Sequence, residues 1–201
     1  MKENYKSITT PMGVAIYPWL IKADTKFNPL GEYKVSLSLT EKDAEPIKKE
    51  IDKCIEEAKS LVPEGKKVKE SDPPYFNETD DDGQETGNVV FKFKMKAKIQ
   101  TKDNRTLTMS PKIFDSQGTI MKPEEDIWGG SKMKINADII PYYVPAIGCG
   151  VSLRLKAVQI IELVTGDSSN ATNYGFKATE GYTTSVEGLD TFDEKDDQED
   201  F

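Results

Sequence analysis

Hydrophobic positions along the chain fall into two periods. Tyr33, Val35, Leu37 and Leu39 alternate with Lys34, Ser36 and Ser38, the period of a half-buried strand. The same period runs over 89–99, with Phe91, Phe93, Met95, Ala97 and Ile99 on one face and Lys92, Lys94, Lys96 and Lys98 on the other. It returns over 131–140, with Met133, Ile135, Ala137 and Ile139 inward, and over 151–163, with Val151, Leu153, Leu155 and Ala157 sharing a face. The stretch 13–20 is apolar but holds Pro18, which predicts a strand running into a kinked or edge segment. A further strand begins at 106–109 and runs toward 111–114. Helical spacing occurs once, through Ala44, Ile47, Ile51, Cys54, Ile55, Ala58 and Leu61. Thr40 and an acid three residues later supply the start signal, and Pro63 and Gly65 the stop, so a helix is predicted over about 41–61. The segment 64–87 reads as a long polar loop. From Gly166 onward the chain is polar and then acidic.

This tally predicts a mainly β fold of five to seven strands with one inserted helix. A small barrel or a sandwich satisfies it, and an OB-fold-like barrel fits the count, although alternation alone does not separate it from other small barrels. The expected division is a core over 1–165, a polar linker over 166–186 and a disordered acidic tail over 187–201.

Composition narrows the chemistry. Hydrophobic residues are 36% and charged residues 31% of 201, a modest core with polar segments outside it. The absence of histidine removes imidazole bases, Ser–His and Cys–His nucleophiles and His-bearing zinc sites. Cys54 and Cys149 form neither a four-cysteine cluster nor a disulfide framework, so a reducing compartment is expected. No apolar run reaches the ~18 residues of a membrane span, and the first ten residues lack a signal-peptide core. No enzyme activity, cofactor or metal is expected.

Charge is unevenly placed. The formal net charge is −8, but 187–201 alone sums to −7, with eight acids against Lys195. The stretch 70–85 adds seven acids and no base, which leaves the remainder at +6. Such like-charge blocks are solubilising or serve as interaction tails, and Phe201 directly after Glu199 and Asp200 favours an anchoring role.

Three features could carry function. Lys92, Lys94, Lys96 and Lys98 stand about 6–7 Å apart on one strand face, near the phosphate repeat of an extended single strand; an ordinary solvated face has the same pattern. Trp19, Trp128, Tyr142 and Tyr143 sit beside turns, prolines or glycines, where rings can stack on bases. They accompany Lys132, Lys134, Lys112 and Arg105. The acids Glu78, Asp80 and Asp82 loosely imitate a calcium loop, but its twelfth position is Val89, where a glutamate is required. Consecutive acids on one loop do not make a metal nuclease.

In order, the segments TPMGVAIYPWL, DTKFNPLGEYKVSLSL, FKFKMKA, IWGGSKMKI, PYY and GVSLRLKAVQIIELV and the acidic tail ending in Phe span nearly the whole chain. Together they resemble the single-stranded DNA-binding proteins of short-tailed lytic phages, a replisome component. The resemblance implies an OB-fold core that binds single strands without sequence preference, anneals and protects them, and serves replication, recombination and repair. It implies a homodimer in the cytoplasm of the bacterial host, and a tail that contacts the phage DNA polymerase and helicase-primase while competing with DNA. It places DNA contacts at Tyr142, Lys132 and Lys134, with Lys92, Lys94 and Lys96 as weaker carry-overs. Tyr143, Arg105, Lys112 and Trp128 join them from the reading of the residues. The partner-binding tail is Asp193, Glu194, Asp196, Asp197, Glu199, Asp200 and Phe201. The competing expectation is a non-catalytic interaction protein or DNA mimic acting through the acidic loop and tail. The sign of charge over the strand faces separates the two.

Overall fold

The computed structural model describes residues 5–101, 103–122, 126–166 and 179–180. Strands β1 (Lys6–Thr9), β2 (Gly13–Asp24) and β3 (Glu32–Thr40) precede helix α1 (Glu41–Lys59). Strands β4 (Tyr75–Thr79), β5 (Glu85–Lys96), β6 (Lys98–Gln100), β7 (Thr106–Thr108), β8 (Lys112–Phe114) and β9 (Ile120–Met121) follow. The long strands β10 (Lys132–Val144) and β11 (Gly148–Glu162) complete the core.

Five strands close into a ring in the order β2, β3, β5, β11, β10 and back to β2. All neighbours are antiparallel except β5 and β11, which run parallel. Closure is narrow: Val14 and Gly13 pair with Lys132 and Met133. Gly13 permits it, because a Cβ there would lie 2.5 Å from the Ser38 carbonyl and 2.6 Å from the Leu39 side chain. Past this point β10 exchanges β2 for β1. Thr10 bridges the change, donating its N–H to the Ile135 carbonyl and accepting the Ile135 N–H on its hydroxyl.

Inward residues of every ring strand fill the barrel, with Phe91, Phe93, Leu37, Met133, Ile135 and Leu153 fully enclosed. The helix begins where expected, with the Thr40 hydroxyl accepting the Asp43 N–H. It buries Ala44, Ile47, Ile51, Cys54 and Ala58 against β3, β5, β10 and β11 and so covers one end of the core. It stops at Lys59, two residues before the predicted end; Ser60 caps the last turn and Leu61 is exposed.

Other expectations need correction. The predicted loop over 64–87 contains β4, an edge strand on β5, and two of its acids, Asp80 and Glu78, serve the turn that joins the two. Asp80 accepts the N–H groups of Asp82 and Gln84. Glu78 accepts from Asn88, Thr86 and Ser38, which hold its carboxyl below the usual range despite partial desolvation. The predicted strand over 89–99 breaks at Ala97, whose N–H turns to the Gly31 carbonyl. Beyond it β6 and β7 form a separate two-stranded hairpin, so Ile99 is exposed and not in the core. Tyr142 and Tyr143 lie within β10 and not in a loop after it. The expected acidic tail and its partner-binding residues lie outside the described residues.

Among the described residues no helix is long and apolar enough to cross a membrane. Nor is any group of three or more Cys, Asp or Glu placed to hold a metal ion.

Candidate nucleic-acid interface

The face of an OB barrel that takes oligonucleotides is its second and third strands, framed by the loops joining strands one to two and four to five. Here those strands are β3 and β5, and the framing loops are 25–31 and 145–147. Outward positions on this face are Lys34 and Ser36 from β3 and Lys92 and Lys94 from β5, with Lys34 directly opposite Lys94.

Rings enter from β2 and the first loop. Ile16 pairs with Ser36 and Trp19 with Lys34, so Tyr17 and Pro18 together oppose Val35 alone. This bulge puts Tyr17 at φ +46°, a conformation that a bulky side chain rarely adopts. Its ring is 82% exposed, and Trp19 beyond the bulge is 44% exposed. Phe27, in the first loop, is 84% exposed, with the Lys26 ammonium 5.4 Å from its centroid. Tyr17, Trp19, Phe27, Lys34, Lys92 and Lys94 thus border one open cleft of about 530 Å³.

Asp24 sets the geometry at the end of β2. Its carboxylate receives the Lys34 ammonium at 2.6 Å and the Lys26 N–H at 2.8 Å. The Lys34 hydrogen bond, then the backbone bond from Lys26, hold the Asp24 carboxyl below the usual range. A depressed carboxyl contributes above its ordinary titration range and is lost only as pH falls through the lowered value, so this pairing persists through neutral pH. On the far side of β5, the Lys92 ammonium lies 4.7 Å from the centroid of the exposed Phe76 ring.

A second recess, about 280 Å³, adjoins the first and shares Tyr17 and Trp19 with it; Trp128 forms its other wall. The backbone N–H of Trp128 donates to the Val164 carbonyl, and the Ser131 hydroxyl accepts the Val164 N–H. Gly166 is pressed so close that a Cβ would reach 2.4 Å from the Trp128 ring.

The structure therefore gathers some of the sequence-derived residues and disperses others. Lys92 and Lys94 border the main cleft, Lys96 extends the same face, and Trp128 stands in the adjoining recess. Lys132 is paired with Glu162 at 2.9 Å, and Arg105, in the β6–β7 turn, with Asp103 at 3.1 Å. Lys134 lies in a shallow groove with Phe114 and Gln159, and Lys112 is exposed on β8, in the strand group of β10, β11 and β8. Tyr143 is half-buried on β10 opposite Cys149. Tyr142 is half-buried, its hydroxyl 2.8 Å from the Ser71 hydroxyl and its ring beside Gly150.

Tyr142 thus fastens the 70–72 segment to the β10–β11 hairpin. Tyr142→Phe removes one hydrogen bond and is expected to cost about 0.5–1.5 kcal/mol in denaturant unfolding while leaving oligonucleotide affinity unchanged. An affinity loss without a stability loss would give the hydroxyl a direct binding role.

Sequence reasoning passed over Tyr17, Phe27, Lys26 and Lys34. Phe27 carried a usable signal, an aromatic alone in the polar loop sequence DTKFNPLG.

A closed five-stranded barrel with open rings and lysines over its second and third strands defines the class: an OB-fold protein whose oligonucleotide face carries stacking and phosphate-neutralising groups. The family model described as "Single-stranded DNA-binding protein, Bacteriophage T7" matches residues 12–163, and the chain belongs to that family. The single-stranded DNA-binding protein of Enterobacteria phage T3 is 32% identical over 191 residues, covering 86% of this chain and 80% of that protein. That of Escherichia phage T7 is 35% identical over 156 residues, covering 69% and 65%. The crystal structure of gp2.5, a single-stranded DNA-binding protein encoded by bacteriophage T7, superposes with TM-score 0.69 at 32% identity. It covers 90% of this chain and all of that one. The single-stranded DNA-binding protein of bacteriophage Enc34, solved in complex with single-stranded DNA, shares the fold at TM-score 0.57 and 18% identity over 78% of this chain and 86% of that one.

Proposed function

We propose that this protein coats single-stranded DNA without regard to sequence during phage DNA replication, and that the cleft over β3 and β5 is its principal contact. One observation carries the reading: open faces of Tyr17, Trp19 and Phe27 stand beside Lys92 and Lys94 on the face where OB barrels take oligonucleotides. Rings stack on the face common to all bases, and ammonium groups neutralise phosphates, so neither contact depends on sequence. Lys96 and Trp128 extend this contact. Tyr142, Tyr143, Lys132, Lys134, Lys112 and Arg105 are secondary contacts, reached by longer strands. A cationic cleft on this face weighs against a DNA mimic.

The same reading assigns 1–165 to the binding core, 166–186 to a linker and 187–201 to a tail that occupies the cleft when DNA is absent. Once displaced, Asp193, Glu194, Asp196, Asp197, Glu199, Asp200 and Phe201 recruit the polymerase and helicase-primase. The protein acts as a homodimer in the host cytoplasm, and annealing and roles in recombination and repair follow from screening two complementary strands at once.

The direct test is a fluorescence titration with oligo-dT and with a matched duplex across a salt series. Engagement of Lys26, Lys92 and Lys94 with phosphates, Lys34 being held by Asp24, gives a slope of log affinity on log salt of about −2. Equal affinity for duplex, or no binding at low salt even without the tail, would overturn the reading. Deleting 187–201 is expected to tighten oligo-dT binding, most at low salt, as measured by anisotropy. Unchanged affinity would remove the tail from the cleft.

A further inference from the structure

The β6–β7 hairpin has no role in the barrel. It forms its own two-stranded sheet, and all six of its strand residues are exposed. Ile99 pairs directly with Leu107, which is 53% exposed, and Met109 beside them is also open. Two-stranded ribbons are marginal alone, and contiguous exposed apolar surface on such an element signals something that covers it. Ile99 and Met109 border a cleft of about 380 Å³ floored in part by Ile140 and rimmed by Lys94 and Lys96. Lys94 and Glu32 also line the ring-bearing cleft, so the two share a wall.

We propose that this hairpin is a second seat for the same single strand, an apolar ledge for bases that have passed beyond Tyr17, Trp19 and Phe27. The inference rests on the DNA-binding reading above. Charge selects the occupant. No ion pair among the described residues engages Lys94, Lys96 or Lys98, whereas Arg105 and Arg154 are held by Asp103 and Asp138. A partner for this ledge must offer flat apolar faces alongside regularly spaced negative charge, which is the chemistry of an unpaired polynucleotide. Aliphatic side chains such as Ile, Leu and Met make base-face contacts of this kind.

Cys54 and Cys149 are buried, so Leu107→Cys offers one accessible thiol for an environment-sensitive fluorophore. The labelled full-length protein would be titrated with oligo-dT of about 4 and about 16 nucleotides, the span of single OB-fold sites. Both strands are expected to quench tryptophan fluorescence, and only the longer one to shift the label. Ile99→Ser with Leu107→Ser should weaken the longer strand by about tenfold and leave the shorter unchanged, with the thermal melt retained. A label indifferent to the longer strand while tryptophan responds would overturn the second seat. So would a label shift that depends on protein concentration without DNA, or an equal loss for both lengths. Absence of tryptophan quenching by either strand would bring down the DNA-binding reading itself.

Discussion

Trp19→Ala is expected to weaken oligo-dT binding by about 1–3 kcal/mol, roughly 5- to 150-fold, with little change in unfolding free energy. The ring stands beyond the β2 bulge, close to half exposed, and borders both recesses of the interface. Its loss removes a stacking surface while the barrel interior stays intact. Tyr17→Ala should act in the same direction and leave the salt slope unchanged, because stacking neutralises no phosphate. Lys92→Gln or Lys94→Gln should instead flatten that slope. Anisotropy with a labelled oligo-dT, repeated across salt, separates the two signatures. An unchanged affinity for Trp19→Ala would move the principal contact away from this face.

Phe91→Ala is expected to cost about 3–5 kcal/mol in denaturant unfolding. Phe91 is fully enclosed, pairs across the sheet with Leu37 and Tyr75, and has the Tyr75 ring centroid 5.6 Å away. It lies one residue from Lys92 on the same strand but points the other way. Lys92→Gln should therefore stay within about 0.5 kcal/mol of the parent in stability. A pair of neighbours with such different responses tests the assigned pleat of β5 directly. Comparable stability losses for both would mean that the strand is turned.

The elements that were legible in the sequence keep a regular period over most of their length. In β3, in β10 through Ile139 and in β11 through Leu155 the positions read as inward meet the core, and in α1 the buried positions are among those read from helical spacing. In β11 an irregularity at Lys156 shifts the phase, so Val158 and Ile160 are buried and Ala157, read as inward, is only half-buried. What was not legible depends on partners distant in the chain. Strand β4 pairs along one side only and leaves Phe76 outward among acids, so no alternation marks it. Ala97 stays buried and keeps the phase of β5, so the break after Lys96 leaves no trace in the pattern. At the interface, Lys92 and Lys94 were legible because a strand's outer face follows from its inner one. Tyr17 was not, since its exposure comes from a bulge set by the pairing of β2 with β3. Tyr142 showed the reverse: a ring between prolines reads as free, yet its hydroxyl is bound to Ser71, a residue 71 positions away.

The parallel contact of β5 with β11 bears on how the protein is made. Among the described strands β11 is the last to leave the ribosome, yet it lies between β5 and β10 and also carries β8. Until 148–162 has emerged, β5 lacks its parallel neighbour and the ring has a gap one strand wide. The nascent chain must therefore carry Phe93 and the apolar face of α1 incompletely covered until the residues of β11 follow. Long-range pairings of this kind fold slowly and expose aggregation-prone edges meanwhile. The alternation of lysine with phenylalanine along β5 sets a charge beside each apolar residue of the strand that waits for this last parallel neighbour.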